Sequence, residues 1–354
     1  MNNIRRIQEA LANQEYGAML ITDAASRLYI GGFASSAGAY LITADEAFFF
    51  VDSRYVEAAK KKISGAEILL VTKDETFPTK ISGILKDKGI NSVGFEDGAV
   101  TYSGYLGWEN KFEARLIPAQ AMLNDLRAIK SRDDLNVMIK AQRIAEKAFE
   151  DILPLIKSGI TEKELATELV YRMQKNGADD KAFNPIVVSG ERSSLPHGVP
   201  TNEKISDGFL TIDWGARLNG WVSDCTRTIS IGKPDDEMVK VYETVLAAQE
   251  AGIKATKGGI STKEIDGAAR TIIENAGYGE YFGHGFGHSL GLEVHESLRC
   301  SQISEHIMPV GAVFTAEPGI YLPGRFGVRI EDTLFVTETG SENITNLPKA
   351  LLII

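Results

Sequence analysis

The sequence predicts an α+β protein of two domains, a smaller α/β domain over residues 1–124 and a larger one over 125–354. Three observations carry this reading. A chain of 354 residues with 44% hydrophobic content is long enough to bury a large core and to divide into about two domains. Up to about residue 120, short helix and strand patterns alternate. Beyond that, one order of elements occurs twice, because Gly159-Ile160-Thr161-Glu162-Lys163-Glu164 returns as Gly259-Ile260-Ser261-Thr262-Lys263-Glu264. Both hexapeptides read as capping boxes that start a helix, and the helices stop near Gly177 and Gly277. An amphipathic helix precedes each, over 135–157 and 237–256, and a hairpin with two acidic residues follows each. Duplicated halves about a pseudo-twofold axis account for the pattern, and such folds place their site where the halves meet.

Composition narrows the function. A formal net charge of −10 with no basic block argues against nucleic acid and anionic membranes as partners. No stretch is long and apolar enough to span a bilayer, and the opening MNNIRRIQEALANQEYG lacks an apolar signal-peptide core. Cys225 and Cys300 are too few for a disulfide framework and read as buried free thiols of a cytoplasmic protein.

Along the first domain the expected strands are Met19–Thr22, Ala39–Thr43, Ala47–Val51, Ile68–Val71 and Ser92–Phe95. The expected helices are Ile4–Ala12, Tyr55–Lys62 and Ile81–Lys88, which together make a layered domain with a mixed sheet. It holds no histidine and no catalytic constellation, and Asp52-Ser53-Arg54-Tyr55 reads as a cap with a salt bridge. Pro118 to Asp134 reads as the crossover between domains. Ser131 then starts a helix whose Leu135, Met138, Ile139, Ile144, Ala145, Ala148 and Ile152 form a core stripe.

The first acidic hairpin is Thr211 to Ile231, TIDWGARLNGWVSDCTRTISI. Asn219-Gly220 is the strongest short-range signal for a two-residue type I′ turn, and the turn fixes the register. Leu218 then faces Trp221, Gly215 faces Asp224 and Asp213 faces Thr226, which leaves Asp213 and Asp224 on one face of the ladder. With no side chain at Gly215, a metal ion could sit against the strand there. The second hairpin, Ala312–Tyr321 with Val328–Val336, carries Glu317 and Glu331. Between the hairpins runs Gly283-His284-Gly285-Phe286-Gly287-His288, continuing to His295-Glu296, with three of the five histidines. Glycines at that density bring backbone close to something, and the imidazoles supply nitrogen ligands or acid–base groups.

Four carboxylates and an imidazole point to a particular class of ion. Scarce cysteine excludes a thiolate zinc site, and a two-histidine, one-carboxylate iron triad leaves acids unused. Oxygen-rich ligation with one nitrogen suits Mn²⁺, Co²⁺ or Zn²⁺. Four negative charges balance two divalent cations, so a dinuclear site is neutral before a bridging hydroxide is added. Such a pair, about 3.5–4 Å apart, lowers the pKa of a shared water and stabilises a tetrahedral oxyanion.

The segments DWGARLNGWVSDCTRT, GFGHSLGLEVHE, AEPGIY, GVRIED and SGERSSLPHG closely resemble motifs of the pita-bread metallopeptidases, in particular the prolidase and aminopeptidase P branch. IGGF and VDSRY at 30–55 look like that family's creatinase-like N-terminal domain, so the resemblance spans nearly the whole chain. It implies a pseudo-twofold pita-bread catalytic domain. It also implies five metal ligands, with Asp213 on one ion, His288 and Glu317 on the other, and Asp224 and Glu331 bridging. Two ions per chain are implied, Mn²⁺ or Co²⁺, with Zn²⁺ admissible. Glu317 is then the general base, which takes the water proton and passes it to the leaving proline nitrogen. His284 or His295 would hydrogen-bond the scissile carbonyl or its oxyanion, and His197 would line the proline pocket. Arg329, two residues before Glu331, would orient an acidic ligand. Arg299, four residues after His295, matches the arginine by which prolidases grip a dipeptide's carboxylate, although Leu298 stands where the family often has proline. His306 matches no motif.

The resemblance thus implies hydrolysis of the Xaa-Pro bond in dipeptides, by a small-peptide enzyme that works as a homodimer. Two further activities stand beside it, an aminopeptidase P acting on longer peptides and a creatine-hydrolase-like reaction. The other class is a metal-free scaffold on the same fold, against which the full set of ligand positions argues.

Overall fold

The computed structural model describes residues 3–156 and 159–354. The chain divides into two compact units, 1–127 and 128–354.

In the first unit six strands form one mixed sheet, in the order Glu67–Leu70, Ala47–Val51, Ala39–Thr43, Ala18–Ile21, Ser92–Phe95, Arg115–Pro118. Ala39–Thr43 runs antiparallel to both neighbours, and the outer pairs are parallel. The strands Ala18–Ile21, Ala39–Thr43 and Ala47–Val51 are buried on both faces, so they read as continuous apolar runs rather than alternating ones. Four further elements escape a purely periodic reading: the helices Ala24–Gly31, Tyr102–Glu109 and Gln120–Ala128, and the strand Arg115–Pro118. The first is set by its ends. Asp23 accepts from Ser26 N–H, and Gly32 closes it at φ +59°. Gln120–Ala128 occupies the stretch expected to be a plain crossover. Asp52 pairs with Arg54 at 2.8 Å and its Oδ1 also accepts from Arg54 N–H at 2.9 Å, in the turn ahead of the helix Val56–Lys62, whose N-cap position itself is Tyr55.

The second unit carries the repeat. Helices Arg132–Ile152 and Glu162–Lys175 in one half answer to Asp236–Ala255 and Thr262–Asn275 in the other. Ser131 and Thr161 form full capping boxes with Asp134 and Glu164. Ser261 does not: it accepts only from Lys263 N–H, and the Glu264 limb is missing. The expected end of the first helix at 157 lies outside the described residues, and the helix itself ends at Ile152 in a 3₁₀ turn, Leu153–Leu155. Each half has its own core. Phe149 stacks on Trp214 at 4.8 Å in one, and Val245, Ile265 and Phe314 pack in the other. Burying a side chain of this size contributes about 1.5–3 kcal/mol.

The acidic hairpins are both broken in the middle. In the first, Gly208–Trp214 pairs with Cys225–Ile231 with Asp213 opposite Thr226, while Ala216–Leu218 and Trp221–Val222 pair beyond the break. Asn219 at φ +49° and Gly220 at φ +86° make the turn, as a type I′ geometry requires. In the second hairpin, Val313–Ala316 pairs with Asp332–Val336 and Gly319–Leu322 with Phe326–Arg329. The breaks fall at Gly215 and Ser223-Asp224, and at Glu317-Pro318 and Ile330-Glu331. Pro318 cannot donate to a ladder. Gly215 has a different cause from the one expected. A Cβ there would collide with the Ser223 carbonyl and press on the Phe183 ring, so the glycine admits backbone and not a metal ion. Cys225 and Cys300 are free and buried.

Candidate metal centre

The two hairpins lie against each other at their breaks. Glu331 N–H donates to Thr226 O at 3.1 Å, and the Thr228 hydroxyl donates to Arg329 O at 3.0 Å. Three of the four acids therefore leave their ladders at one place, and Asp213 lies one residue short of the Trp214–Cys225 pair. From the other side come Gly287–His288, paired with Arg299–Cys300, and Ser289, bridged to Phe314. All ten side chains singled out in the sequence line one cavity of about 730 Å³.

Asp224, His288 and Glu331 present ligand atoms within 4.8 Å of one another, and all three are buried. His288 Nε2 lies 3.2 Å from Glu317 Oε1 and 3.8 Å from Asp224 Oδ2. Asp213 Oδ2 accepts from Arg329 at 2.8 Å, while its Oδ1 is buried without a hydrogen-bond partner. Thr226 donates to Glu331 Oε2 at 2.6 Å and Thr315 to Glu317 Oε1 at 2.9 Å, which fixes the acids from behind.

Electrostatics make this crowding costly without a cation. Burial raises Asp224 well above the usual carboxylate range, and Glu331, Asp213 and Glu317 push it further. Glu331 is raised in the same way by burial and by Glu317 and Asp213. Burial also raises Asp213, against the pull of Arg329. Glu317 goes the other way. Burial lifts it, but the hydrogen bond and charge of His288, with His284 and Arg329, outweigh that and hold it at about 2.

Residues 136–338 match Metallopeptidase family M24, and residues 3–129 match the Creatinase/Prolidase N-terminal domain. The chain belongs to metallopeptidase family M24. An Xaa-Pro dipeptidase of Pyrococcus furiosus is 40% identical over 327 residues, covering 92% of each chain. A solved Xaa-Pro dipeptidase from Bacillus anthracis superposes with a TM-score of 0.95 at 40% identity, over 99% of each chain. An X-Pro aminopeptidase from Thermotoga maritima superposes at 0.91 with 36% identity, over 98% of this chain and 100% of its own.

The donor set fits the divalent metal that an M24 metallopeptidase implies. It offers four carboxylates and one imidazole, an orphaned Asp213 oxygen, and two carboxyls raised by burial and by neighbouring carboxylates, whose repulsion a cation would relieve.

Around this cluster the other cavity-lining groups differ in freedom. His284 Nδ1 lies 2.8 Å from Gly285 O, which can only accept, so that nitrogen carries the proton. Its Nε2 then accepts from the Tyr321 hydroxyl at 2.9 Å, and that hydroxyl accepts from Arg329 at 2.9 Å. Burial lowers the His284 pKa, in keeping with a neutral ring. Tyr321 is the connecting residue that side-chain chemistry alone did not single out; its signal was the last letter of AEPGIY. His295 stands open at the cavity wall, its ring 4.2 Å from that of His288. Burial, then the repulsion of His288 and Arg299, lowers its pKa to about 4.

Arg299 sits opposite His288 on the short ladder, and its guanidinium donates to Glu296 O at 2.6 Å and Leu298 O at 3.2 Å. Leu298, the departure from the family pattern, donates its N–H to Ser289 Oγ at 3.0 Å, a bond that proline could not make. His197 is exposed on the loop after Gly190–Ser194. His306 is exposed too; its carbonyl accepts from the Thr262 N–H and hydroxyl, and its N–H donates to Ser304 Oγ at 3.4 Å.

Proposed function

We propose that this chain is a metal-dependent Xaa-Pro dipeptidase. The observation that carries the reading is the placement of Arg299, a cation on the strand residue facing His288, at the edge of the acid cluster. A dipeptide has its free carboxylate one residue beyond the scissile bond, within reach of a group so close to the reacting centre. A guanidinium pairs with that carboxylate in two parallel hydrogen bonds. Relatives named as Xaa-Pro dipeptidases support the substrate class.

Asp213, Asp224, His288, Glu317 and Glu331 would hold two divalent cations, Mn²⁺ or Co²⁺, with Zn²⁺ the third choice. When bound, such ions supply a more acidic water and positive charge where the substrate's carbonyl oxygen becomes negative. Glu317, ionised at neutral pH, accepts the proton of the attacking water and delivers it to the proline nitrogen as the C–N bond breaks. As with any peptide nitrogen, proline leaves as an amine only once its nitrogen is protonated, so departure depends on that delivered proton. Arg329 holds Asp213 in place from one side and, through Tyr321, keeps His284 in one tautomer from the other.

Both ring nitrogens of His284 are engaged, which leaves His295 to donate to the scissile carbonyl. His295→Ala is therefore expected to lower kcat about 100-fold, the scale for one lost oxyanion donor. Steady-state kinetics on an Xaa-Pro dipeptide check this; a larger loss in His284→Gln would reverse the assignment. His197 walls the proline side of the cavity.

The reading as a whole is tested with a panel of Xaa-Pro dipeptides and Xaa-Pro-Yaa tripeptides, after chelation and add-back of Mn²⁺, Co²⁺ or Zn²⁺. Dipeptides alone should be cleaved efficiently. Equal turnover of tripeptides would favour the aminopeptidase reading, which the Thermotoga maritima neighbour supports. The family resemblance also supports a homodimer, measured by light scattering on the eluting protein, and the two free buried thiols support a cytoplasmic location.

A further inference from the structure

The loop from Ser189 to Thr201 brings His197 to the cavity, and its Pro196 carbonyl accepts from Arg329 at 3.2 Å. Apart from the short turn Gly190–Ser194 it has no regular structure, so something else must hold it. Gly327 N–H donates to Ser193 Oγ and Lys163 N–H to Thr201 O, each at 2.9 Å, and one buried carboxylate gathers both ends. Glu162, the first residue of the helix Glu162–Lys175, is fully buried. It accepts from Ser189 N–H at 2.8 Å, and from the Thr201 N–H at 3.1 Å and hydroxyl at 2.9 Å. Both ends of the loop are thus tied to one group. Arg192 Nε reaches the same carboxylate at 3.1 Å, and its Nη2 donates to Val199 O at 2.7 Å, two residues past His197. The first turn of the helix adds its positive dipole end.

The repeat supplies an internal comparison. The matching residue of the second half is Thr262, also the first residue of its helix. Thr262 Oγ1 shares a hydrogen bond with Ser304 at 2.7 Å, and its N–H donates to His306 O at 3.0 Å, tying the loop after Cys300. Both halves use this position to tie a loop at the cavity. Only the first uses a charge. Burying a carboxylate is costly unless it is paired and fully hydrogen-bonded, and a neutral hydroxyl does the equivalent packing in the other half. Charge-assisted bonds are shorter and stronger, so the difference in kind is one of stiffness.

We propose that Glu162 and Arg192 are positioning residues for substrate recognition: they hold the Pro196-His197 segment rigid against the proline side of the cavity. The proposal rests on the Xaa-Pro reading above. A role of this kind moves substrate affinity, since neither group touches the acid cluster.

The test uses metal-loaded full-length E162Q and R192K, with kinetics on an Xaa-Pro dipeptide and amide hydrogen exchange of the whole chain. In both variants KM should rise about tenfold with kcat within about threefold, the scale of one weakened charge-assisted bond. Amides of residues 189–201 should exchange about tenfold faster or more, with those of Asp236–Ala255 unchanged. R192K keeps the positive charge and loses the fork to Val199, so it remains informative if E162Q folds poorly. A lowered Tm with unmoved KM and unmoved exchange of 189–201 makes the role structural only and overturns the proposal. A loss confined to kcat overturns it as well. A wild-type enzyme that cleaves no Xaa-Pro bond would sink the functional reading instead, while the exchange of 189–201 would still report on Glu162.

Discussion

Glu317→Gln is expected to lower kcat about 1,000-fold while the protein remains folded. The magnitude is that of a positioned proton acceptor, which contributes roughly 10²–10⁴. The fold should tolerate the change because glutamine has the same shape and keeps an oxygen where Oε1 now accepts from Thr315 at 2.9 Å. What disappears is the negative charge that His288 and Arg329 now stabilise, and with it the ability to take a proton. An amide is also a weaker ligand, so metal content must be measured beside activity. With metal restored to saturation, a loss of the size stated assigns the proton transfer to Glu317. Near-wild-type turnover would remove it from that role and send the search for a base to His295, an imidazole exposed at the cavity and 4.2 Å from the His288 ring.

How much of this was legible depended on the range of the forces involved. The Asn219-Gly220 turn fixed its hairpin's register from two residues, because a type I′ turn needs positive φ at both and the observed values are +49° and +86°. Helix starts at Ser131, Thr161 and Ser261 were legible for the same local reason, and only the Glu264 limb of the third capping box is not used. The acids and histidines that line the cavity could be named from residue type and motif. What could not be read was how the hairpins break. Gly215 looked like room for an ion, yet its freedom from a Cβ serves the Ser223 carbonyl, a contact that exists only once the strand has bent. Long-range hubs were equally invisible. Arg227 sits next to Thr226 in sequence, but its guanidinium joins Glu331 O, the Asp332 carboxylate and the carbonyls of Leu347 and Pro348, more than 100 residues away. Buried at 3% exposure, it ties the two acidic hairpins and the chain's last stretch together, and no periodicity announces it.

The acid cluster also predicts how stability depends on pH and metal. Asp224 and Glu331 have folded pKa values raised by burial and by the charges of neighbouring carboxylates. For a raised carboxyl the folded state binds more protons than the unfolded one, whose values lie near 4. The stability such a group contributes is therefore present at low pH and lost as pH rises from about 4 toward the folded value. Glu317, held at about 2, has the opposite sign: its contribution is present above about 4 and lost as pH falls toward 2. The two windows do not overlap, so between pH 5 and 8 the metal-free protein should lose stability through Asp224 and Glu331. Divalent cations take the place of the missing protons, and binding at 100 times Kd stabilises by about 2.7 kcal/mol. For a unit of this size that is roughly 5–10 °C in Tm. Thermal unfolding of chelated and Mn²⁺-loaded protein across this range checks the argument. The gap in Tm should widen steadily as pH rises, because deprotonation both weakens the metal-free state and strengthens the ligands. A gap that stays constant or narrows would mean that the clustered acids are not what the cation relieves.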